Sequence, residues 1–354
     1  MSLSSERIAE LRLGDAGDVR VPGSRTAAPG ARMGAGLLLR GRLGRVLAML
    51  GGVASVGLIT SFVTFAVTSA SKSNPAALIA DPASGAAGVR HVEHLLGLDR
   101  PFLVRYADWL GSVLHGDFGS SYFTHIPVST EIVNRLPVDL GVTVVAVTLA
   151  VIFGFTAGVI SASFRGRPAD RLVTGLCSLA FTVPEFWLGI LLVLFFAVQL
   201  RVLPASGWVA LHDNPVGWLE HVLLPGLSLS IPIGAALARQ LRTALVGVYE
   251  QNYVTGAVVR GFSPRRILLR HALRNALAPA VAALGLAIPY FLSGAVVVEQ
   301  IFSLPGLGQY AIGGATSQDT PIIQGVLMIT IAVVVVSNLA VDFLLGWLRP
   351  GTRV

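Results

Sequence analysis

Six long apolar runs, separated by short polar or basic stretches, set the pattern of this chain, over roughly residues 43–70, 138–164, 172–200, 222–238, 276–298 and 322–345. Most hold the twenty or so residues that, at a rise of about 1.5 Å each, cross a hydrocarbon core about 30 Å thick. The pattern predicts an all-α integral membrane protein with six transmembrane helices. The fourth run is the weakest, because Pro225 and Pro232 interrupt it and Arg239 and Arg242 close it.

Two connections carry patterns of their own. In the loop 71–136, Asp99-Arg100-Pro101 opens a helix whose Phe102, Tyr106, Trp109, Leu110 and Val113 share one apolar side, and Gly116-Asp117-Phe118-Gly119 ends it. Such a helix is expected to lie on the membrane or to cap a pore mouth. In the loop 239–275, Tyr253, Val254, Ala257 and Val258 fall at helical spacing up to Arg260, and Gly261 is the residue type that ends a helix. Ser263 then fits an N-cap and Pro264 a first helical position, with Arg265, Arg266, Arg270 and Arg274 following on a basic side. A short helix, a glycine corner and a second helix form a docking surface for a partner protein, built from Tyr253, Ala257, Gly261, Phe262, Ser263, Arg265 and Arg266. Residues 1–42 are rich in Arg, Gly, Ala, Ser and Pro without an apolar period and are expected to be a disordered cytoplasmic tail. The first apolar run begins too late and is too long for a signal peptide, and Met33 is an alternative start.

Composition fits a bilayer: 53% of residues are hydrophobic and 13% charged, about half the charged share of soluble domains. Of the 26 basic residues, 20 gather before or at the first run, around Arg165–Arg171, between Arg239 and Arg274, and at the C-terminal tail. The positive-inside rule therefore puts both termini and the loops after the even-numbered runs in the cytoplasm, leaving 71–136 outside. The net charge of +7 is thus topological. Nucleic-acid binding is disfavoured, since no basic stretch is interleaved with aromatics. Cys177 stands alone, so no intrachain disulfide is possible.

Candidate chemistry is sparse. A P-loop is missing, and the single lysine, Lys72, follows Ser71 in the outer loop, so this chain is not an ATPase. There is no His-Glu-x-x-His and no Gly-x-Ser-x-Gly; His91-Val-Glu-His94 is one residue short of the zinc motif and reads as solvated surface, so no metal is assigned. A self-powered secondary transporter would carry internal repeats and buried ion sites, and neither is evident. Glu185, just after Pro184 in the third run, is an ionisable group costing about 2.5–3.5 kcal/mol at membrane depth, which makes it a candidate for a translocation path; hydrogen bonding to a neighbouring helix is the alternative. Glu299, at the end of the fifth run, is a second such candidate.

Four separated segments resemble one family, the peptide/nickel-type permease subunits of bacterial ABC importers. RHALRNALAP (270–279) is similar to that subfamily's ATPase-docking loop, and FTVPEFWLGILLVLFFAVQLRVLPASGW (181–208) to its proline-broken span and Leu-Pro-Ala-Ser-Gly turn. VEQIFSLPGLGQYAIGGATSQDTPIIQG (298–325) resembles its Glu-x-x-Phe-x-x-Pro-Gly-Leu-Gly segment, carried here by Glu299, Phe302, Pro305, Gly306 and Gly308, followed by Asp-x-Pro-x-x-Gln-Gly. The outer-loop run LGLDRPFLVRYADWLGSVLHGDFGSS (96–121) fits as well. One departure stands out: Thr255-Gly256-Ala257 occupies the place of Glu-Ala-Ala, so only Ala257 and Gly261 carry over, and Gly256 loosens the short helix by about 1 kcal/mol relative to Ala.

The resemblance spans about residues 40–350 and implies a type I ABC importer permease architecture in a bacterial inner membrane. It implies a non-catalytic, pore-forming subunit that pairs with a second permease subunit as a heterodimer, with two ATPase subunits that use ATP and Mg, and with an extracytoplasmic binding protein. Dipeptides or oligopeptides are the expected substrates, with nickel chelates or glutathione as alternatives.

Overall fold

The computed structural model describes residues 35–70 and 74–348, which are helical apart from turns and an isolated β-bridge between Ser120 and Pro127. Two compact units divide the chain after Gly52. Of the first, residues 35–52 are described and form the opening part of helix α1 (Ala35–Ala70). The expected disordered segment 1–42 therefore falls outside the described residues up to position 34, and from Ala35 it is helix.

The second unit holds the rest of α1 and then α2 (Pro75–Ile79), α3 (Gly85–Leu95), α4 (Phe102–Leu114) and α5 (Val128–Ser163). α6 (Pro168–Thr182) and α7 (Glu185–Leu192) follow, the latter continuing in π winding over Val193–Gln199. α8 (Pro215–Tyr249), α9 (Asn252–Val259) and α10 (Pro264–Arg266) lead through a π segment, Ile267–Ala272, into α11 (Leu273–Phe302), α12 (Leu307–Ser317) and α13 (Thr320–Leu348).

Against the six expected spans, four helices among the described residues are long and apolar enough to cross a membrane: Val128–Ser163, Pro215–Tyr249, Pro264–Ile288 and Thr320–Gly346. A fifth is present if the bent pair Pro168–Thr182 and Glu185–Gln199 counts as one span, and α1 adds the shorter apolar helix Ala54–Ala70. The third run is thus two half-helices meeting at 100°. Proline explains the break, because Val183, forced out of the helical region by Pro184, is extended (φ −83°, ψ 124°). The fourth run behaves the other way: α8 passes unbroken through Pro225 and Pro232. It is the most enclosed of the spans, packed on α5, α11, α6 and α7, and neighbouring helices stabilise a proline-containing span from outside. Where α5 crosses it, Gly154 and Gly158 let the backbones touch, since a Cβ at either would sit within 2.9 Å of the Gly234 or Ala238 carbonyl oxygen.

α5 also starts earlier than expected, at Val128, with Pro137 inside it. The outer-loop helix α4 spends its apolar side on α1: Phe62 meets Phe102 and Tyr106 edge-on at 5.5 and 5.2 Å, and Phe65 packs on the same two rings. Further along, Asp319 Oδ2 accepts from Ser121 Oγ at 2.6 Å and from the Tyr122 amide at 3.1 Å, tying the loop to the α12–α13 turn.

Candidate functional site

The break between α6 and α7 opens a cavity of ≈ 460 Å³, walled by residues 181–185, by Pro232, Ile233 and Leu237 of α8, and by Ala283, Ala287 and Tyr290 of α11. Its lining is apolar except at the break. There Glu185 is the first residue of α7 rather than the middle of a continuous helix, so the positive end of the α7 dipole favours its carboxylate. Glu185 Oε2 accepts from the Tyr290 hydroxyl at 2.6 Å. Across the break, the Arg239 guanidinium lies over the Phe181 ring at 4.2 Å. Sequence reading finds Glu185 but not Tyr290, an ordinary member of an apolar run until the fold sets it against the break, and it reads Arg239 only as a basic residue closing the fourth run.

Glu299 is placed elsewhere. It is 2% exposed, lies outside the lining of that cavity, and accepts from the amides of Gly308 and Gln309 at 3.4 and 2.8 Å. Asp139 of α5, 5% exposed, accepts from the Leu307 amide at 2.9 Å. Two carboxylates from different helices thus cap the first three amides of α12, groups that have no partner within the helix. The glycines of the 298–325 segment make room for this: a Cβ on Gly306 would fall 2.4 Å from the Glu299 carboxyl carbon, and one on Gly308 2.9 Å from its Oε1. Phe302 is buried beside Gly189 of α7, and its carbonyl accepts from the Gly207 amide at 2.9 Å, while Pro305 stays exposed in the connecting turn. Glu299, expected beside a translocation path, is thus held at the start of α12 and away from the cavity of Glu185. Asp139 went unread in the sequence, although a lone acid in an apolar run is a signal for it.

The loop at the other end of α8 has its expected shape. Gly261 turns the chain with φ +77°, and Ser263 Oγ accepts from the Arg266 amide at 3.4 Å. Phe262 is covered on one side by the Arg266 guanidinium at 4.2 Å and stacks on the His271 ring at 5.8 Å. Tyr253, half exposed, accepts from Asn275 Nδ2 at 2.7 Å, and Arg265 is exposed. Ala257, expected on the surface of this loop, instead forms its small core with Val254 and Ile267 and is 1% exposed. The outward apolar residues of α9 are instead Val258 and Val259, 59% and 82% exposed. Arg165 Nη1 reaches Glu250 Oε1 at 2.7 Å beside this loop, and buried Asp170 and Ser161 with half-buried Arg242 form a polar cluster joining α6, α5 and α8.

Comparison with known proteins gives a consistent picture. Residues 154–354 match the family described as binding-protein-dependent transport system inner membrane component, and residues 43–143 match the N-terminal domain of such membrane components. A probable peptide ABC transporter permease protein of Sinorhizobium fredii is 33% identical over 301 residues, 85% of this chain and 96% of that one. A putative peptide transport system permease protein of Brucella abortus is 35% identical over 298 residues, covering 84% and 95%. A glutathione transport system permease protein of Escherichia coli is 34% identical over 311 residues, covering 88% and 99%. Among solved structures, an inward-facing MetNI methionine ABC transporter chain aligns with TM-score 0.51 at 17% identity over 62% of this chain and 96% of that chain, a likeness of fold.

Proposed function

This chain belongs to the binding-protein-dependent transport system inner membrane component family, and from that premise we propose that it carries dipeptides and short oligopeptides through an ATP-driven importer. It is a non-catalytic, multi-pass membrane subunit. The peptide assignment is supported by relatives at 33% and 35% identity, nearly all of whose length it spans, that are described as peptide permeases. Glutathione, the substrate in the name of a third relative, is itself a small peptide and stays within the same reading.

The finer architecture is six spans of the type I importer kind, with α1 and the α6–α7 pair each counting as one. Both termini face the cytoplasm of a bacterium, and a second, different permease chain completes the pathway. Two ATPase subunits, using ATP and Mg, dock on Tyr253, Gly261, Phe262, Ser263, Arg265 and Arg266 together with the outward Val258 and Val259. Their closure moves the loop as a knob and tilts the spans between inward-open and outward-open states. An extracytoplasmic binding protein delivers substrate from the other side.

The observation that carries a pathway role is the position of Glu185: an acid at a helix break, in an otherwise apolar cavity. Ionisable groups inside spans serve transport pathways where they face a cavity. The test is Glu185→Gln in a strain lacking its own peptide importers, with uptake of labelled dipeptides of different charge. Uptake is expected to drop severalfold, most for peptides with an unblocked N-terminus. Wild-type uptake across all peptides and across pH would remove the pathway role.

A further inference from the structure

A second, smaller pocket of ≈ 160 Å³ lies beneath the outer-loop helix α4 and shares no residue with the cavity of Glu185. Arg100, Arg105 and Asp108 line it from α4 and the turn before it, Phe65 from α1, Tyr122 from the loop that follows and Thr320 from the start of α13. Three separate parts of the chain therefore meet here, on the face that the arginine pattern places outside. Arg100 and Asp108 keep 52% and 55% of their side-chain surface, so the mouth is open to water.

The charge of the lining is unbalanced. Arg100 Nη1 holds Asp108 Oδ2 at 2.7 Å, so the one acid of the lining is occupied by the first arginine. Asp319, the other acid of this region, accepts from the Ser121 hydroxyl and the Tyr122 amide and lies outside the lining. Arg105, half-buried, makes no ion pair among the described residues. Its guanidinium lies over the Phe65 ring at 5.5 Å and donates to the Tyr122 hydroxyl, which also hydrogen-bonds Thr320. A guanidinium presents five N–H donors in a planar fork, and one phenol oxygen leaves most of them without a protein acceptor. Held in one direction by Phe65 and Tyr122, that fork matches a carboxylate. The indole N–H of Trp109, in the same lining, is a further buried donor with no acceptor among the described residues.

Size decides what carries the carboxylate. The pocket's ≈ 160 Å³ falls well below the range of about 300–1,000 Å³ usual for whole small ligands. It admits the head of one acidic side chain and not an enclosed peptide substrate, so the bearer is a larger body outside the membrane. Resting on the importer reading above, we infer that this pocket receives an Asp or Glu side chain of the extracytoplasmic binding protein, with Arg105 taking its carboxylate. One such contact fastens the delivering protein to α1, α4 and the start of α13 together, and it fixes where on the outer face that protein sits.

The test measures the affinity of the assembled transporter, in nanodiscs, for the binding protein encoded with it. Arg105→Gln is expected to weaken binding about tenfold, the size of one charge-assisted contact. Arg105→Lys, which keeps the charge without the fork, should fall between the two. Arg90→Gln, at an exposed arginine of α3 outside the lining, should bind as wild type does. On the other partner, neutralising the surface acids of the binding protein one at a time should reveal one that costs the same tenfold on wild-type permease and nothing further on Arg105→Gln. That arm leaves the permease fold untouched, so a set in which no acid matters overturns the inference. An assembled Arg105→Gln complex with wild-type affinity overturns it too, and so does an equal loss in Arg90→Gln, which would reduce the effect to general charge. In each of these cases wild-type capture of the binding protein keeps the importer reading standing. A wild-type transporter that captures no binding protein brings down both.

Discussion

Asp170 and Arg242 are locked in a two-pronged pair, Nε to Oδ1 and Nη2 to Oδ2, each at 2.8 Å. The same carboxylate accepts from Ser161 Oγ and from the Gly166 amide, so the start of α6 is fastened to α8 and to the end of α5. Asp170 keeps 5% of its side-chain surface and Arg242 31%, which leaves the arginine partly hydrated. Removing one partner leaves the other charge under-satisfied. Asp170→Asn is therefore expected to destabilise the solubilised protein by on the order of 2 kcal/mol, below the value for fully buried pairs because of Arg242's exposure. Thermal unfolding in detergent reads this directly, and an unchanged midpoint contradicts it.

The cap on α12 gives a matched comparison. Gly306→Ala sets a methyl 2.4 Å from the Glu299 carboxyl carbon, whereas a Cβ on Gly313 meets nothing within 4 Å. The first substitution should displace the start of α12 and lower both thermal stability and uptake. Gly313→Ala should leave both near wild type. Equal behaviour of the two would contradict the role of Glu299 as the cap.

On the loop proposed to dock the ATPase, burial separates two substitutions of nearby residues. Val259→Asp changes an outward side chain and is expected to abolish capture of the ATPase subunits while the permease still accumulates in the membrane. Ala257→Arg drives a long charged chain into the contact with Val254 and Ile267, so it should reduce the amount of folded permease as well. Western blots of membranes beside ATPase pull-down distinguish the two, and normal capture by Val259→Asp would exclude α9 as the docking helix.

These cases show where sequence reading reaches and where it stops. Long apolar runs were legible because a bilayer leaves the backbone few alternatives to helix. Prolines were legible as perturbations but not in outcome: Pro184 splits its span beside a cavity, while Pro225 and Pro232 sit inside a helix that α5 and α11 enclose. On α9, helical spacing reveals an apolar stripe through Val254 and Ala257, but two valines beside it are equally apolar, and it is contact with Ile267, Phe262 and the end of α8 that decides which side turns inward. The unit formed by Glu299, Gly306 and Gly308 depends on the reversal at Ser303, whose φ is +50°. Asp139, which completes it, is too distant in sequence for any local pattern to link.

Orientation can be checked with single cysteines in a Cys177→Ser background. Ser120 and Ala315 are expected to react with an impermeant maleimide added outside, and Arg167 and Ser263 are expected to react only after the membrane is opened. All four positions are exposed in the fold, so burial does not confuse the result. The opposite labelling would reverse the topology drawn from the arginines.

The capped start of α12 also imposes an order on biogenesis. Asp139 leaves the ribosome 168 residues ahead of the Leu307 amide that it finally accepts. Until then its charge has no amide to meet, and an unpartnered carboxylate is costly in hydrocarbon. The contact that joins α5 to α12 can therefore close only once α6 through α11 and residues 307–309 have been made. A chain that stops short of Leu307 lacks the amides from which Asp139 and Glu299 accept, and this cap cannot form in it.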